Sequence, residues 1–140
     1  MESHELVIQL DPRAGEMRRV HEALDCFGRK HDLSSKHLSS LHLAIEEHLA
    51  NIISYAYKAL ESTPIRVTLQ MGSREVIVLI EDQGRPFNPL QYPVPDTSGS
   101  LDEKPIGGLG IHMMRNSVDR IDYERRQGRN RVTLVKKTDA

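Results

Sequence analysis

Five segments of the chain have the residue pattern of β-strands. They are rich in β-branched residues or alternate apolar with polar side chains, and they cover residues 5–10, 65–71, 74–82, 120–126 and 131–137. Gly72-Ser73 joins the second segment to the third, and a turn at 127–130 joins the last two, so both pairs are predicted to be hairpins. The third segment is apolar on both faces, which places it centrally in a sheet.

Three other stretches repeat apolar residues every three or four positions, which predicts helices that each bury one face. The first covers about 13–31, and the third is short and follows the glycines at 107–110. The second begins after Ser34-Ser35, whose hydroxyls suit an N-cap, and is predicted to run to about Lys58. Their buried stripes are predicted to contain Met17, Val20, Leu24 and Phe27, then Leu38, Leu41, Ile45, Leu49, Ile52 and Ala56, then Ile111, Met114 and Val118.

The order of these elements predicts an α+β fold in a single domain that covers residues 1–140. Because most neighbouring strands are linked by hairpins, we expect a two-layer sandwich. Its sheet would be mixed, mainly antiparallel and of about five strands, with about three helices on one face. The segment at about 84–106 is predicted to be a lid, because a loop this long in a compact domain is usually functional. Pro86, Pro89, Pro93 and Pro95 all lie in it.

Charge and composition narrow the choice of partners. The 19 Lys and Arg residues against 20 Asp and Glu residues give a formal net charge of -1, so a polyanion such as nucleic acid is a poor partner for the whole molecule. Basic residues do gather between Tyr123 and Lys137. We interpret them as the solvated face of two strands, with a binding patch as the alternative.

The cellular compartment follows from what the sequence lacks. Cys26 is the single cysteine, so no intramolecular disulfide can form and a reducing compartment fits. The first residues do not have the pattern of a signal peptide, and no stretch approaches the roughly 20 apolar residues that a membrane span needs. We therefore expect a soluble, cytoplasmic protein with no membrane partner.

Two polar residues of the second helix form the first candidate motif. In "EEHLANIISYAY", Glu47 and Asn51 are four residues apart and therefore lie one above the other on one helix face. They point away from the apolar stripe. The alternative interpretation is that they are ordinary solvated residues on the exposed side of the helix.

Two glycine-containing segments form the other motifs. In "IEDQGRPF", a strand ends on Asp82, whose carboxylate can accept hydrogen bonds from an exocyclic amine, and Gly84 lets the backbone approach a planar ring. An ordinary turn is the alternative. In "GGLGIHMMRN", glycines open a helix whose free amides and positive dipole end suit phosphate. The spacing differs from the Walker-type phosphate loop.

The three motifs in this order resemble the GHKL ATPase superfamily. Its members include gyrase, Hsp90, histidine kinases and the ATPase of mismatch repair. Within it, the chain is most similar to the anti-sigma factor serine kinases and related small regulatory ATPases, and the resemblance covers nearly the whole chain, including the ending "GRNRVTLVKK". The resemblance implies the Bergerat ATP-binding fold, with ATP and Mg²⁺ as cofactors.

The resemblance also implies a role for each motif residue. Asn51 would hold the Mg²⁺ that bridges the ATP phosphates, and Glu47 would be the general base that activates the attacking hydroxyl. Asp82 would accept the adenine amino group, and Gly84 would admit the ring. The backbone amides of Gly108 and Gly110 would bind the phosphates, and the Thr133 hydroxyl would reach adenine through water. A single amide plus phosphates is an adequate site for Mg²⁺, which keeps several waters.

Several assignments stay open on the sequence. Glu46 competes with Glu47 as the base, although only Glu47 has the four-residue spacing to Asn51. Lys104 and Arg85 are the basic residues near the lid, and neither is identified as the partner of the γ-phosphate. A zinc site around His42, Glu46 and His48 lacks a further ligand, and His112 is interpreted as a helix surface residue.

The resemblance implies a function as an ATP- and Mg²⁺-dependent protein serine kinase that acts as an anti-sigma factor. Such a protein sequesters a sigma factor, phosphorylates a STAS-type anti-anti-sigma antagonist and forms homodimers. One alternative is a nucleotide-dependent binding module that sequesters a regulatory protein without phosphoryl transfer. Another is a kinase in a signalling route that involves no sigma factor.

Overall fold

The structure is a computed structural model that describes residues 4–56, 63–91 and 108–138. The predicted lid therefore falls mostly outside the described residues, and only its first part, to residue 91, can be followed. Pro93 and Pro95, two of the four prolines on which the lid was predicted, lie outside the described residues as well.

Five strands form one sheet, as predicted. They are β1 Glu5–Leu10, β2 Ile65–Met71, β3 Glu75–Asp82, β4 Arg120–Arg126 and β5 Arg129–Lys137. The spatial order is β1-β2-β3-β5-β4, so the doubly apolar strand β3 does lie at the centre. Each of the four strand pairings is antiparallel, which agrees with the prediction of a mainly antiparallel sheet, although that prediction also allowed a mixed one. The two hairpins, β2 with β3 and β4 with β5, are confirmed.

Three helices accompany the sheet: α1 Met17–Lys30, α2 Ser35–Asn51 and α3 Gly108–Ser117. Short 3-10 turns at Ala14–Glu16 and Pro89–Gln91 complete the regular structure, with a π-helical segment at Ile52–Ala56. Helix α2 begins as predicted, because the Ser34 hydroxyl accepts a hydrogen bond from the His37 amide at 3.1 Å. Its α-helical geometry ends at Asn51 and the chain continues as a π-helical segment to Ala56, while the predicted end near Lys58 lies outside the described residues.

The hydrophobic core lies between the helices and one face of the sheet. Alternate residues of β3, namely Val76, Val78 and Ile80, are fully buried beneath the helices. The predicted helical stripes supply the other side, since Leu24, Leu41, Ile45, Leu49, Ile52, Ile111 and Met114 are all at most 1% exposed. Burying each such side chain contributes roughly 1.5–3 kcal/mol, so the stripes fix which helix face meets the sheet.

The opposite face of the sheet is only partly shielded. Ile77, Leu79 and Val135 are half-buried there, and Val7 is 46% exposed. The basic residues of β4 and β5 lie mostly exposed, as the interpretation of a solvated face requires. Among the described residues, no helix is long and apolar enough to cross a membrane.

Candidate functional site

Helix α2 buries one of its two predicted site residues. Asn51 is only 5% exposed, and Glu47 is half-buried. The alternative interpretation, a solvated helix face, is therefore wrong for Asn51. A buried amide costs free energy unless it finds partners, so a buried asparagine at this position requires an explanation beyond helix packing.

The backbone changes its geometry immediately after Asn51. Residues Ile52–Ala56 form a π-helical turn, in which hydrogen bonds span five residues instead of four. Such turns are rare and are frequently found at functional sites. The π-helical turn is therefore a second indication, besides the spacing of Glu47 and Asn51, that this end of the helix belongs to a functional site.

Helix α3 brings a glycine against the Glu47 carboxylate. A Cβ atom placed on Gly110 would lie 3.3 Å from the Cδ of Glu47 and would overlap its Oε2. A side chain at this position therefore cannot coexist with the present position of Glu47. Gly110 belongs to the first turn of α3, which begins at Gly108, so the carboxylate lies beside the helix N-terminus that was predicted to bind phosphate.

Asp82 ends strand β3 in a buried hydrogen-bond network. The residue is 2% exposed, and its Oδ1 accepts hydrogen bonds from the Gly84 amide and from Nδ2 of Asn130, each at 2.9 Å. Burial raises the pKa of the Asp82 carboxyl, while these two bonds and the nearby Arg125 guanidinium act in the opposite direction. Both hydrogen bonds end on Oδ1, so Oδ2 can accept a further donor.

Asn130 is a site residue that the sequence analysis did not identify. It is 1% exposed and uses all four of its hydrogen-bonding positions. Its Nδ2 donates to Asp82 and to the Arg85 carbonyl, at 2.9 and 2.6 Å. Its Oδ1 accepts from the Tyr123 hydroxyl and the Phe87 amide, at 2.6 and 3.2 Å. The amide therefore fixes the chain that follows Asp82. From the sequence, residue 130 belongs to the predicted turn at 127–130, so nothing in the pattern marks it as a site residue.

Thr133 does not share this network. In the β3–β5 register, Asp82 pairs with Asn130 and Leu79 pairs with Thr133. Because side chains alternate between the two faces of a strand, residues three positions apart lie on opposite faces. Thr133 therefore lies on the half-open face of the sheet, away from Asp82.

His48 is buried beside the predicted magnesium ligand. It is 1% exposed, and neither of its ring nitrogens has a hydrogen-bond partner among the described residues. The Nδ2 atom of Asn51 is likewise buried and unpaired there. Burial lowers the pKa of His48 to about 4, so the ring is neutral near pH 7.

Phe87 connects the two parts of the site. Its ring lies 6.4 Å from the His48 ring, measured between centroids, and its amide is bonded to Asn130. Asp82 also belongs to the alternate residues of β3 that face the helices. The described residues thus place α2, Phe87 and Asp82 on the same side of the sheet.

A cavity that includes Asp82 does not extend to the site residues of α2. It has a volume of about 200 Å³ and is lined mainly by charged and polar side chains, among them Arg66 and Arg129. Neither Glu47 nor Asn51 contributes to it. We interpret it as a depression at the end of the sheet.

The competing carboxylate, His42 and His112 have partners outside this site. Glu46 faces helix α1, with its Oε2 at 3.7 Å from Nε2 of His21. His42 is bonded to Asp25, and His112 contacts Asn116 on its own helix. Among the described residues, no three His, Cys, Asp or Glu side chains converge as a metal site, so the zinc alternative gains no support.

The Asn51 side chain does fit a role in holding Mg²⁺. One end of its amide is buried without a partner in the described part of the chain. Rotation of the amide about its last bond interchanges oxygen and nitrogen, so the unpaired end can present the oxygen that a hard cation prefers.

Similarity to known proteins indicates the family of the chain. The sequence profile of histidine kinase-like ATPase domains matches residues 10–136. A serine/threonine-protein kinase of Bordetella bronchiseptica, BtrW, is 37% identical over 96 residues, which cover 69% of this chain and 68% of that protein.

Solved structures show the same fold at low sequence identity. The RsbU and RsbW domains of Rv1364c from Mycobacterium tuberculosis match 97% of this chain with a TM-score of 0.70 and 17% identity. A histidine kinase domain from Erythrobacter litoralis matches 89% with a TM-score of 0.56 and 15% identity. This chain spans 33% and 60% of the lengths of those chains. The match over residues 10–136 and the BtrW relative show that the chain belongs to the family of histidine kinase-like ATPase domains.

Proposed function

We propose that the protein is an ATP- and Mg²⁺-dependent protein serine kinase that acts as an anti-sigma factor on an anti-anti-sigma antagonist. The observation that carries the proposal is the contact between Glu47 and Gly110. It puts a half-buried carboxylate beside the N-terminal turn of α3, where the phosphates of a bound nucleotide would lie. The name of the BtrW relative, a serine/threonine-protein kinase, supports the same activity.

The proposed reaction is the transfer of the γ-phosphoryl group of ATP to a serine hydroxyl. The serine oxygen forms a bond to the γ-phosphorus while the bond to the β–γ bridging oxygen breaks, and ADP leaves. Glu47 accepts the hydroxyl proton, which is the usual task of a carboxylate in phosphoryl transfer. The amides of the first turn of α3, at Gly108 and Gly110, orient the phosphates and stabilise their charge.

Asn51 would hold Mg²⁺ through its amide oxygen. When bound, the ion neutralises charge on the phosphate oxygens and aligns them. Burial of Asn51 fixes this ligand in place, because a side chain that is 5% exposed has little freedom to leave. The π-helical turn begins at the next residue, at the end of the ligand-bearing helix.

Asp82 would bind adenine. Its Oδ2 accepts the exocyclic amino group, while Oδ1 is already held by Gly84 and Asn130. Gly84 is buried and leaves the backbone close to the ring. Asn130 keeps the Asp82 carboxylate in one orientation and thereby positions it to bind the adenine ring.

The partners follow from the same proposal. They are a sigma factor, a STAS-type antagonist and a second copy of the chain, all in the cytoplasm. The half-open face of the sheet, with Val7, Ile77, Leu79 and Val135, offers the apolar surface that such an interface uses. The Mycobacterium tuberculosis protein combines an RsbU and an RsbW domain, and the likeness to it supports a role in partner switching.

The test of kinase activity compares two neighbouring glutamates. Glu47→Gln keeps the shape of the side chain beside Gly110 and removes the base, whereas Glu46→Gln changes a residue that faces His21. With labelled ATP and a candidate antagonist, we expect Glu47→Gln to lower the rate of serine labelling by about 10²-fold or more. Binding of MgATP should be unchanged, and Glu46→Gln should label normally.

The outcomes separate the two functions. If Glu46→Gln loses labelling and Glu47→Gln does not, the assignment of the base is wrong. If the parent protein labels no serine under any condition but binds MgATP, the kinase proposal fails. The protein would then be a nucleotide-dependent binding module, in which Glu47 has no role as a base.

A further inference from the structure

The burial of the His48 ring is unfavourable in free energy within the described structure. The residue is 1% exposed, and its two ring nitrogens have no hydrogen-bond partner there. A buried polar group without a partner costs about 1–3 kcal/mol, and an apolar side chain of similar shape would avoid that cost. Asp82 and Asn130, which are buried as deeply, have their hydrogen bonds formed within the protein.

The position of His48 points to a ligand. It precedes Asn51 by three residues, so the two side chains leave α2 about 60° apart on the same side of the helix. Asn51 also has an unpaired buried nitrogen among the described residues. On its other side, His48 faces the Phe87 ring at 6.4 Å, and Phe87 is bonded through Asn130 to the Asp82 network. The imidazole therefore lies between the predicted metal ligand and the predicted adenine acceptor.

The chemistry of a neutral imidazole complements that of Asp82. A neutral ring has one N–H donor and one acceptor, whereas an ionised carboxylate only accepts. In adenine the exocyclic amino group is flanked by two ring nitrogens, N1 and N7, and both are acceptors. Asp82 can therefore bind the amino group but not these nitrogens, and a second residue must supply a donor if they are to be recognised.

We propose that His48 is a specificity-determining residue that donates a hydrogen bond to a ring nitrogen of bound adenine. This inference rests on the proposed ATP site and extends it. An acceptor at Asp82 and a donor at His48 together match adenine, in which the amino donor lies next to an acceptor. Guanine presents the opposite order along its edge, an acceptor oxygen beside an N–H donor, and is disfavoured. The unpaired imidazole is retained because nucleotide binding gives it a partner.

The test combines a variant with altered nucleotides. His48→Leu removes both ring nitrogens and keeps an apolar side chain of comparable bulk. We expect it to raise the melting temperature of the empty protein and to weaken MgATP binding by about tenfold, which corresponds to about 1.4 kcal/mol. His37→Leu, on the same helix near its beginning, is the matched control and should leave MgATP affinity unchanged.

Nucleotides that lack one ring nitrogen identify the contact itself. The parent protein should bind one of the two analogues, 1-deaza-ATP or 7-deaza-ATP, about tenfold more weakly than ATP, depending on which ring nitrogen His48 contacts. His48→Leu should bind ATP and that same analogue with equal affinity. His48→Gln, which keeps a donor and an acceptor, should recover part of the discrimination.

The outcomes distinguish this inference from the proposed function. If the parent protein does not bind MgATP, the proposed function itself fails. If the parent binds MgATP and His48→Leu binds it as tightly, or still discriminates between ATP and the analogue, the role of His48 is overturned while the ATP site stands.

Discussion

Helix α2 carries two histidines in contrasting surroundings. His42 faces α1, where its Nε2 is 2.7 Å from Oδ1 of Asp25 and its Nδ1 is 2.7 Å from Nδ1 of His21. His48, six residues later, has no hydrogen-bond partner in the described structure. A polar side chain that is fully paired holds two helices together, whereas one that is buried and unpaired indicates a missing ligand.

The same contrast applies to the two sides of the helix. On the side of α1, His21, Asp25, His42 and Glu46 form one chain of contacts, which we call the helix seam. Because an ionised Asp25 can only accept, Nε2 of His42 donates to it and Nδ1 accepts from His21. On the other side, Glu47, His48 and Asn51 face Gly110, Phe87 and the buried interior. The helix seam joins α1 to α2, and the opposite side is where we propose that the nucleotide binds.

The largest effect is expected at the contact between α2 and α3. Gly110→Ala would place a methyl group on the Glu47 carboxylate and displace the base. Phosphoryl transfer should fall by about 10²-fold or more, since a displaced general base loses most of its contribution. Gly15→Ala is the control, because no atom lies within 4 Å of the added carbon there. Equal rates of serine labelling in both variants would show that the contact has no role in transfer.

Acid should destabilise the protein through His48. Burial lowers its pKa to about 4 from an ordinary value of 6.5, so between these pH values the unfolded chain binds a proton that the folded protein excludes. The free energy of unfolding should therefore fall as the pH decreases from about 6.5 to 4, by about 3 kcal/mol from this group. Urea unfolding of His48→Leu at several pH values should show a correspondingly weaker dependence, while His37→Leu should match the parent.

Asp82→Asn should weaken nucleotide binding. The amide replaces a pure acceptor by a group with a donor at one end, so the adenine amino group loses a hydrogen bond to a charged partner. Such a bond contributes about 1.5–3 kcal/mol, which is roughly a ten- to hundredfold change in the dissociation constant for MgATP. Asp122→Asn, exposed on β4, is the calorimetric control. An unchanged affinity in Asp82→Asn would mean that adenine binds elsewhere.

The smallest effect is expected in the helix seam. His42→Leu removes two hydrogen bonds in a partly exposed position, and the free energy of unfolding should fall by about 1 kcal/mol. Its MgATP affinity should equal that of the parent. A loss of affinity in this variant would show that the seam and the nucleotide site are coupled and that the contrast between the two sides is wrong.

Most of the fold could be predicted because its signals are local. Alternation along each strand and the three- to four-residue spacing of Leu38, Leu41 and Ile45 depend only on neighbouring residues. Gly72 and the turn at 127–130 marked both hairpins. The change to π-helical geometry after Asn51 was not predicted, because it leaves no mark in the pattern of apolar residues.

Parts of the site could not be predicted because they depend on register and packing. Asn130 meets Asp82 only when β5 pairs with β3 in the observed register, and a shift by one residue would have brought a different side chain there. The same register puts Thr133 on the other face of the sheet. The separation of Glu46 from Glu47 depends on the partners that α1 and α3 supply, which no spacing within α2 could reveal.

Asn51 and Asp82 are proposed to serve one nucleotide site, and every assigned role depends on that shared site. It can be tested by calorimetric titration with ATP, with and without Mg²⁺, of the parent protein and of Asn51→Ala. We expect the parent to bind ATP with a dependence on Mg²⁺, and we expect Asn51→Ala, folded as judged by its melting curve, to have lost this binding. Equal Mg²⁺-dependent affinity in the two proteins would show that Asn51 holds no metal for a nucleotide bound at Asp82.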